Sequence, residues 1–241
     1  MRKFSPLKYW LERKKEIPSF PFFNTVRPNF EYGFFLGLDI CVPLHEVMNI
    51  PAQDLETSWH KTKEYVENAL DILIYEYREE VSPLEDEFID VDNDQIYYIK
   101  EELGEYPTHC YPIYLVTVGT GSDERLVYVG KTSSKKHRFL GGHKVALKLL
   151  NPKYDGLEKN IYFGCLVFID EAKEYVPLEW IHPLEEAVNI LKSVESGLIY
   201  YFSPELNTAS VKRNYSKIPI SLHIQNFSGE SKFLHDEILQ V

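Results

Sequence analysis

The run Ile161–Ile169, IYFGCLVFI, constrains this chain more than any other stretch. It has neither charge nor alternation, so it reads as a strand with apolar side chains on both faces, which needs a covering layer on each side. Two segments offer it neighbours. Tyr111–Val118 and Leu126–Val129 are β-branched and aromatic runs joined by a short loop containing Gly119, Gly121, Ser122 and Asp123, the pattern of a hairpin. Two further segments offer cover. Leu184–Phe202 is apolar at 184, 187, 188, 191, 194, 198, 199 and 202, which is helical spacing. Leu55–Val81 repeats the pattern through Trp59, Val66, Ala69, Leu70, Leu73, Ile74 and Tyr77, beginning near Asp54 and stopping before Pro83. The expected class is α/β of the α+β kind: a small central antiparallel β-sheet flanked by helices, preceded by a mostly helical and irregular N-terminal extension.

Net charge is −11 over 241 residues, which at first argues against a nucleic-acid partner. The imbalance is local. Residues 1–105 hold 11 Lys/Arg and 22 Asp/Glu, whereas residues 106–241 hold 15 of each. From Arg125 to Lys153 there are eight Lys/Arg and no acid. A cationic strip inside a neutral region can bind phosphates by releasing counterions. A period of 2 puts Tyr114, Val116 and Val118 on one face of the hairpin and Tyr128 and Gly130 on one face of its partner strand. Two tyrosines can thus point the same way, with Gly130 leaving room for a ligand's backbone.

One carboxylate stands out on the helix Leu184–Phe202. Glu195 follows Leu191 by four residues and precedes Leu198 by three, so it falls within the apolar stripe. A lone buried carboxylate costs several kcal/mol unless it is paired, protonated or bound to a metal. Glu185 and Glu186, at the helix start, favour the helix dipole; Glu195 has no such reason. Periodicity alone leaves a metal ligand and a salt bridge to an arginine equally open.

These residues, with their order, resemble the GIY-YIG nuclease family. Pro112-Ile113-Tyr114 stands for the first signature and Tyr128-Val129-Gly130 for the second; Arg138, His143, Glu195 (in VESGLIYYF) and Asn207 (in SPELN) follow in the family's order. The resemblance covers roughly residues 110–210. Pro112 replaces a glycine and Val129 an isoleucine, and both keep strand character. It implies a GIY-YIG-like domain over 106–210, between an acidic N-terminal region (1–105) and a C-terminal extension (211–241). It also implies a metal-dependent endonuclease that hydrolyses DNA, of the restriction or defence type, with a structure-specific repair nuclease as the alternative within the class. Glu195 would hold Mg²⁺, with Mn²⁺ as a substitute. Tyr114 would help deprotonate the attacking water, Arg138 would offer a planar fork to phosphate oxygens, and Tyr128 would line the site. His143 would assist the base or touch phosphate, and Asn207 would orient its neighbours. Gly130, Lys131, Lys135, Lys136 and Lys144 would meet the DNA. Lys131, next in sequence to Gly130, would lower the pKa of Tyr114 if its ammonium sits close. A homodimer on DNA is expected where both strands are cut.

Each residue also has an ordinary explanation. The tyrosines would be strand aromatics, Arg138 and His143 solvated surface groups, and Asn207 the cap of a turn. A non-catalytic nucleic-acid-binding module with a nuclease-like core is the reading from another class. The remaining sequence is less specific. Residues 1–30 form an aromatic, proline-punctuated arm. Residues 83–105 carry nine acids against Lys100 and read as a solvated connector around a short strand, Gln95–Ile99, or more sharply as a DNA mimic over the basic strip. Asp90–Asp94 lacks the glycine and closing glutamate of a calcium loop. The tail offers a basic cluster (Lys212, Arg213, Lys217) and a strand near Ile218–Ile224. Three separated cysteines point to reduced thiols and a cytoplasmic protein, and no segment reads as a membrane span or secretory signal.

Overall fold

The computed structural model describes residues 17–18, 30–50, 54–76, 88–89, 91–107, 110–133, 139, 141–169, 175–219 and 221–240. The end of the Leu55–Val81 segment, most of the acidic 83–90 stretch, most of the N-terminal arm, and Lys135, Lys136 and Arg138 lie outside the described residues.

The class is α+β. Seven strands form one sheet: β1 (Phe34–Pro43), β2 (Ile113–Val118), β3 (Arg125–Lys131), β4 (Lys159–Ile169), β5 (Tyr175–Pro177), β6 (Ser221–Asn226) and β7 (Asp236–Gln240). Their order is β3-β2-β4-β1-β6-β7, with β5 pairing the far end of β4. The IYFGCLVFI run is indeed central, buried from Ile161 to Phe168. Tyr162, Leu166 and Phe168 enter one core and Ile161 and Phe163 the other, so β4 is covered on both faces.

The sheet is larger than expected and not purely antiparallel. β1 comes from the N-terminal region, lies beside β4 antiparallel, and pairs with β6 in parallel. Phe34–Pro43 is thus part of the central sheet and not of an outlying extension. The tail strand sits at Ser221–Asn226, slightly beyond Ile218–Ile224.

Among the described residues four α-helices accompany the sheet: α1 (Leu55–Glu76), α2 (Asn93–Leu103), α3 (Lys144–Lys148) and α4 (Leu184–Phe202). Asp54 starts α1 by accepting from the Thr57 amide at 3.0 Å, and Trp59 ties it to the approach to α4 through a 2.8 Å bond to the Ile181 carbonyl. Helix α2 replaces the expected strand Gln95–Ile99. Asp92 accepts from the Asp94 and Gln95 amides while the Gln95 side chain bonds back to Asp92, a reciprocal cap that commits the segment to a helix. The larger core holds α1, α2 and α4 against Ile113, Leu115 and Val129, and a second core packs Tyr114, Val116, Phe139, Val145 and Tyr154 on the opposite face. Among the described residues, no helix is long and apolar enough to cross a membrane.

Candidate active site

The β2–β3 hairpin is displaced in register between Val116 and Thr117, where Val127 is the extra residue on β3. Beyond that bulge Tyr114 lies opposite Gly130 and Val116 opposite Tyr128. The two tyrosine rings stack with centroids 6.0 Å apart at 29°. The space expected for a ligand at Gly130 belongs to Tyr114. A Cβ there would come within 2.3 Å of the Tyr114 ring and hydroxyl, so only glycine lets the ring lie across the strand.

Tyr114 is fully buried, and its hydroxyl is 3.0 Å from Nε2 of His143. His143 caps α3, with Nδ1 accepting from the Val145 amide at 3.2 Å. An Nδ1 that accepts carries no proton, so the neutral ring holds its proton on Nε2 and donates to the tyrosine oxygen. The tautomer is assigned from that amide. Phe139 and Tyr128 pack edge-on or tilted against the same imidazole, at 5.2 and 5.5 Å. The Gly141-Gly142 turn delivers His143 here, Gly142 donating to the Phe139 carbonyl at 3.0 Å with φ of +80°.

Lys131 does not accompany Tyr114. It lies opposite Ile113, whose side chain enters the α4-side core, whereas Tyr114 enters the other core. Alternation along the strand therefore sends Lys131 to the opposite face, where its ammonium pairs with Glu195. The group beside the Tyr114 hydroxyl is the His143 imidazole instead. Glu195 is not enclosed as its stripe position predicts: its side chain is 21% exposed, and it meets β3, the outermost strand in the order. Its partner is a lysine rather than an arginine.

Asn207 closes that edge. Its amide accepts from the Val129 N–H and donates to the Val129 carbonyl, both at 2.9 Å, while the Leu206 amide donates to the Val127 carbonyl at 3.0 Å. A side-chain amide and one backbone group thus stand where a further strand would pair. Lys148 and Glu205 hold the same turn. The Lys148 ammonium donates to the Leu206 carbonyl at 2.8 Å, and Glu205 takes Arg125 and Lys153, each at 2.6 Å. Lys144 is exposed at the start of α3.

Glu195 is the carboxylate available for a metal. Mg²⁺ accepts one carboxylate and several waters, a donor set that a partly exposed acid at a sheet edge fits, although the Lys131 ammonium engages the same group. Among the described residues no cluster of three or more His, Cys, Asp or Glu could hold a metal ion, so an ion here would keep most of its water. The residue that sequence reasoning missed is Glu179. It is 6% exposed, accepts from the Cys110 amide at 3.3 Å, and burial pushes its carboxyl up to about 7. It lies in a short turn outside any periodic pattern, so no stripe marked it.

No protein-family model, curated protein or solved structure matches this chain. The resemblance to GIY-YIG nucleases rests on its motif residues alone.

Proposed function

We propose that the chain is a metal-dependent phosphodiesterase that cuts DNA, of the restriction or defence kind. One observation carries the reading. Five of the six motif residues meet at the segment 128–131 of β3: Tyr114, Tyr128 and His143 on one face, Glu195 on the other through Lys131, and Asn207 along the edge between them. They come from two strands, a helix cap, a long helix and a turn, which general packing does not require.

Mg²⁺ bound through Glu195 would polarise the scissile phosphate and stabilise the leaving 3′ oxygen. The chain's own groups do the rest. Lys131, paired with Glu195, would place an ammonium beside the phosphate. Tyr128, half-buried on the face of β3 opposite Glu195, would have to reach the attacking water around the edge of that strand. Tyr114 lies behind it, and the His143 N–H steadies any negative charge on the Tyr114 oxygen. Asn207 fixes the height of Val129 and so of Tyr128.

A second reading, a nucleic-acid-binding module without catalysis, is favoured by the complete burial of Tyr114 and by the lysine on Glu195. Plasmid nicking separates the two. On the hydrolase reading Mg²⁺ supports nicking, and EDTA or Glu195→Gln each eliminates it. Nicking that persists in EDTA removes the metal role. DNA binding with no nicking under any metal, Mn²⁺ included, selects the second reading. Sequencing the cut ends distinguishes a restriction enzyme from a structure-specific repair nuclease, and light scattering on DNA tests the homodimer that double-strand cutting calls for.

A further inference from the structure

From Leu206 to Gly229 the sequence contains no Asp or Glu. The first part of this stretch is a coil laid across α4. The Tyr215 amide donates to Ser196 Oγ at 2.9 Å and the Lys217 amide to Ser193 Oγ at 3.3 Å. Two hydroxyls three residues apart on one helix face therefore hold the coil in register. Pinned this way, Lys212, Arg213, Tyr215 and Lys217 are all exposed. Tyr200 lies one turn beyond Ser196 on the same helix face, and Lys192 one turn before it.

Aromatic rings are exposed along the same surface. Tyr200 is 45% exposed, Tyr201 51% and Tyr215 62%, and the Arg213 guanidinium stands 5.6 Å from the Tyr215 ring. Among the described residues no carboxylate pairs with Lys192, Lys212, Arg213 or Lys217. The nearby acids are committed elsewhere, Glu195 to Lys131 and Glu205 to Arg125 and Lys153. Glu185 and Glu186, at the start of α4, bound the surface at its far end.

We infer that this surface is a track for single-stranded nucleic acid that leads to the candidate centre at Lys131 and Glu195. Unsatisfied cations at intervals along a coil meet successive phosphates, and flat exposed rings between them meet unstacked bases. A duplex presents phosphates but keeps its bases stacked inside, so it would leave the Tyr200 and Tyr215 rings unused. The inference rests on the nucleic-acid reading above and favours substrates with unpaired strands, such as a loop, flap or opened duplex, which within that reading points to the structure-specific alternative and away from the restriction type.

The test is fluorescence anisotropy of the full chain in EDTA, with an oligothymidylate of about 16 nucleotides and a duplex of the same length. The single strand is expected to bind tighter. Tyr200→Ala and Tyr215→Ala, both at exposed rings and checked for folding by circular dichroism, should each weaken it about fivefold or more while moving duplex binding less than about twofold. Replacing Lys212, Arg213 and Lys217 together by Gln should reduce the log–log salt slope by about two. Equal affinity for both forms, or indifference to the tyrosine variants, overturns the inference. Because the assay contains no divalent metal, it is independent of cleavage. A chain that binds single strands through these rings but never nicks keeps this inference and loses the hydrolase reading. One that nicks duplex while ignoring the rings does the reverse.

Discussion

Glu179 and Glu195 are both carboxylates set among apolar side chains, and they have opposite environments. Glu179 lies in a turn between a short strand and α4, is almost wholly enclosed, and meets a backbone amide. Glu195 lies mid-helix in an apolar stripe, yet a fifth of its side chain reaches solvent and a lysine neutralises it. The dry acid stays protonated to nearly neutral pH, whereas the partly exposed one meets a lysine where solvent can reach both. Burial alone therefore does not mark a reactive acid. What distinguishes Glu195 is a buried base with an open rim.

The strongest way to break this contrast is to neutralise each acid in turn. Glu195→Gln is expected to lower Mg²⁺-dependent nicking about a thousandfold or more, because several kcal/mol of transition-state stabilisation would pass through that group. Glu179→Gln should leave the rate per folded molecule within about twofold. If the two variants lose activity equally, the distinction between the two environments fails.

The next effect is on stability. The Glu179 carboxyl titrates at about 7 in the folded chain against a usual value of 4.5, so between those values the folded state binds the proton more tightly than the unfolded one. Its contribution is fully present below about pH 4.5 and is lost as pH rises through about 7. A shift of this size corresponds to roughly 3 kcal/mol. Urea unfolding at pH 5 and pH 8 should show that loss in the wild type, and Glu179→Gln should remove it.

The same contrast shows what could be read from sequence. Helix α4 runs from Leu184 to Phe202, the span its spacing predicts, and β4 is central because an uncharged run has nowhere else to go. Those features are local. The exposure of Glu195 is not, since it depends on α4 meeting an edge strand, and periodicity gives the direction of a side chain without saying what covers it. Lys131 illustrates a related failure. Adjacency to Gly130 predicts closeness to Tyr114, but strand alternation turns the two residues to opposite faces. The Gln95–Ile99 segment looked like a strand by its apolar content, and the Asp92–Gln95 cap, equally present in the sequence, decided for a helix. Strand β1 depends on pairing with β4 and β6 and had no signature of its own.

A smaller effect is expected at the rim itself. Asn207→Ala removes two hydrogen bonds from the β3 edge and leaves the Val129 groups to water, for a loss of about 1–2 kcal/mol. Hydrogen exchange should accelerate at the Val129 amide and not in β4. Uniform acceleration would mean that Asn207 supports the whole sheet and not the segment that carries Tyr128.

Glu205 completes the comparison as a carboxylate at the surface. Lys153 and Arg125 hold its carboxyl down at about 2, the reverse of the shift at Glu179, so its contribution is present above the usual value of 4.5 and is lost as pH falls toward 2. The pair of cations is large but the group is about a third exposed, and solvent screening limits such a contact to about 1 kcal/mol or less. Glu205→Gln should therefore cost under about 1 kcal/mol at low salt and nearly nothing at high salt. Its neighbours in the chain are Leu206 and Asn207, both fastened to β3 by their own bonds. Nicking should consequently survive the substitution. A large loss of activity without a loss of stability would mean that the Arg125–Glu205–Lys153 contact, and not the Asn207 amide, sets the position of the edge strand.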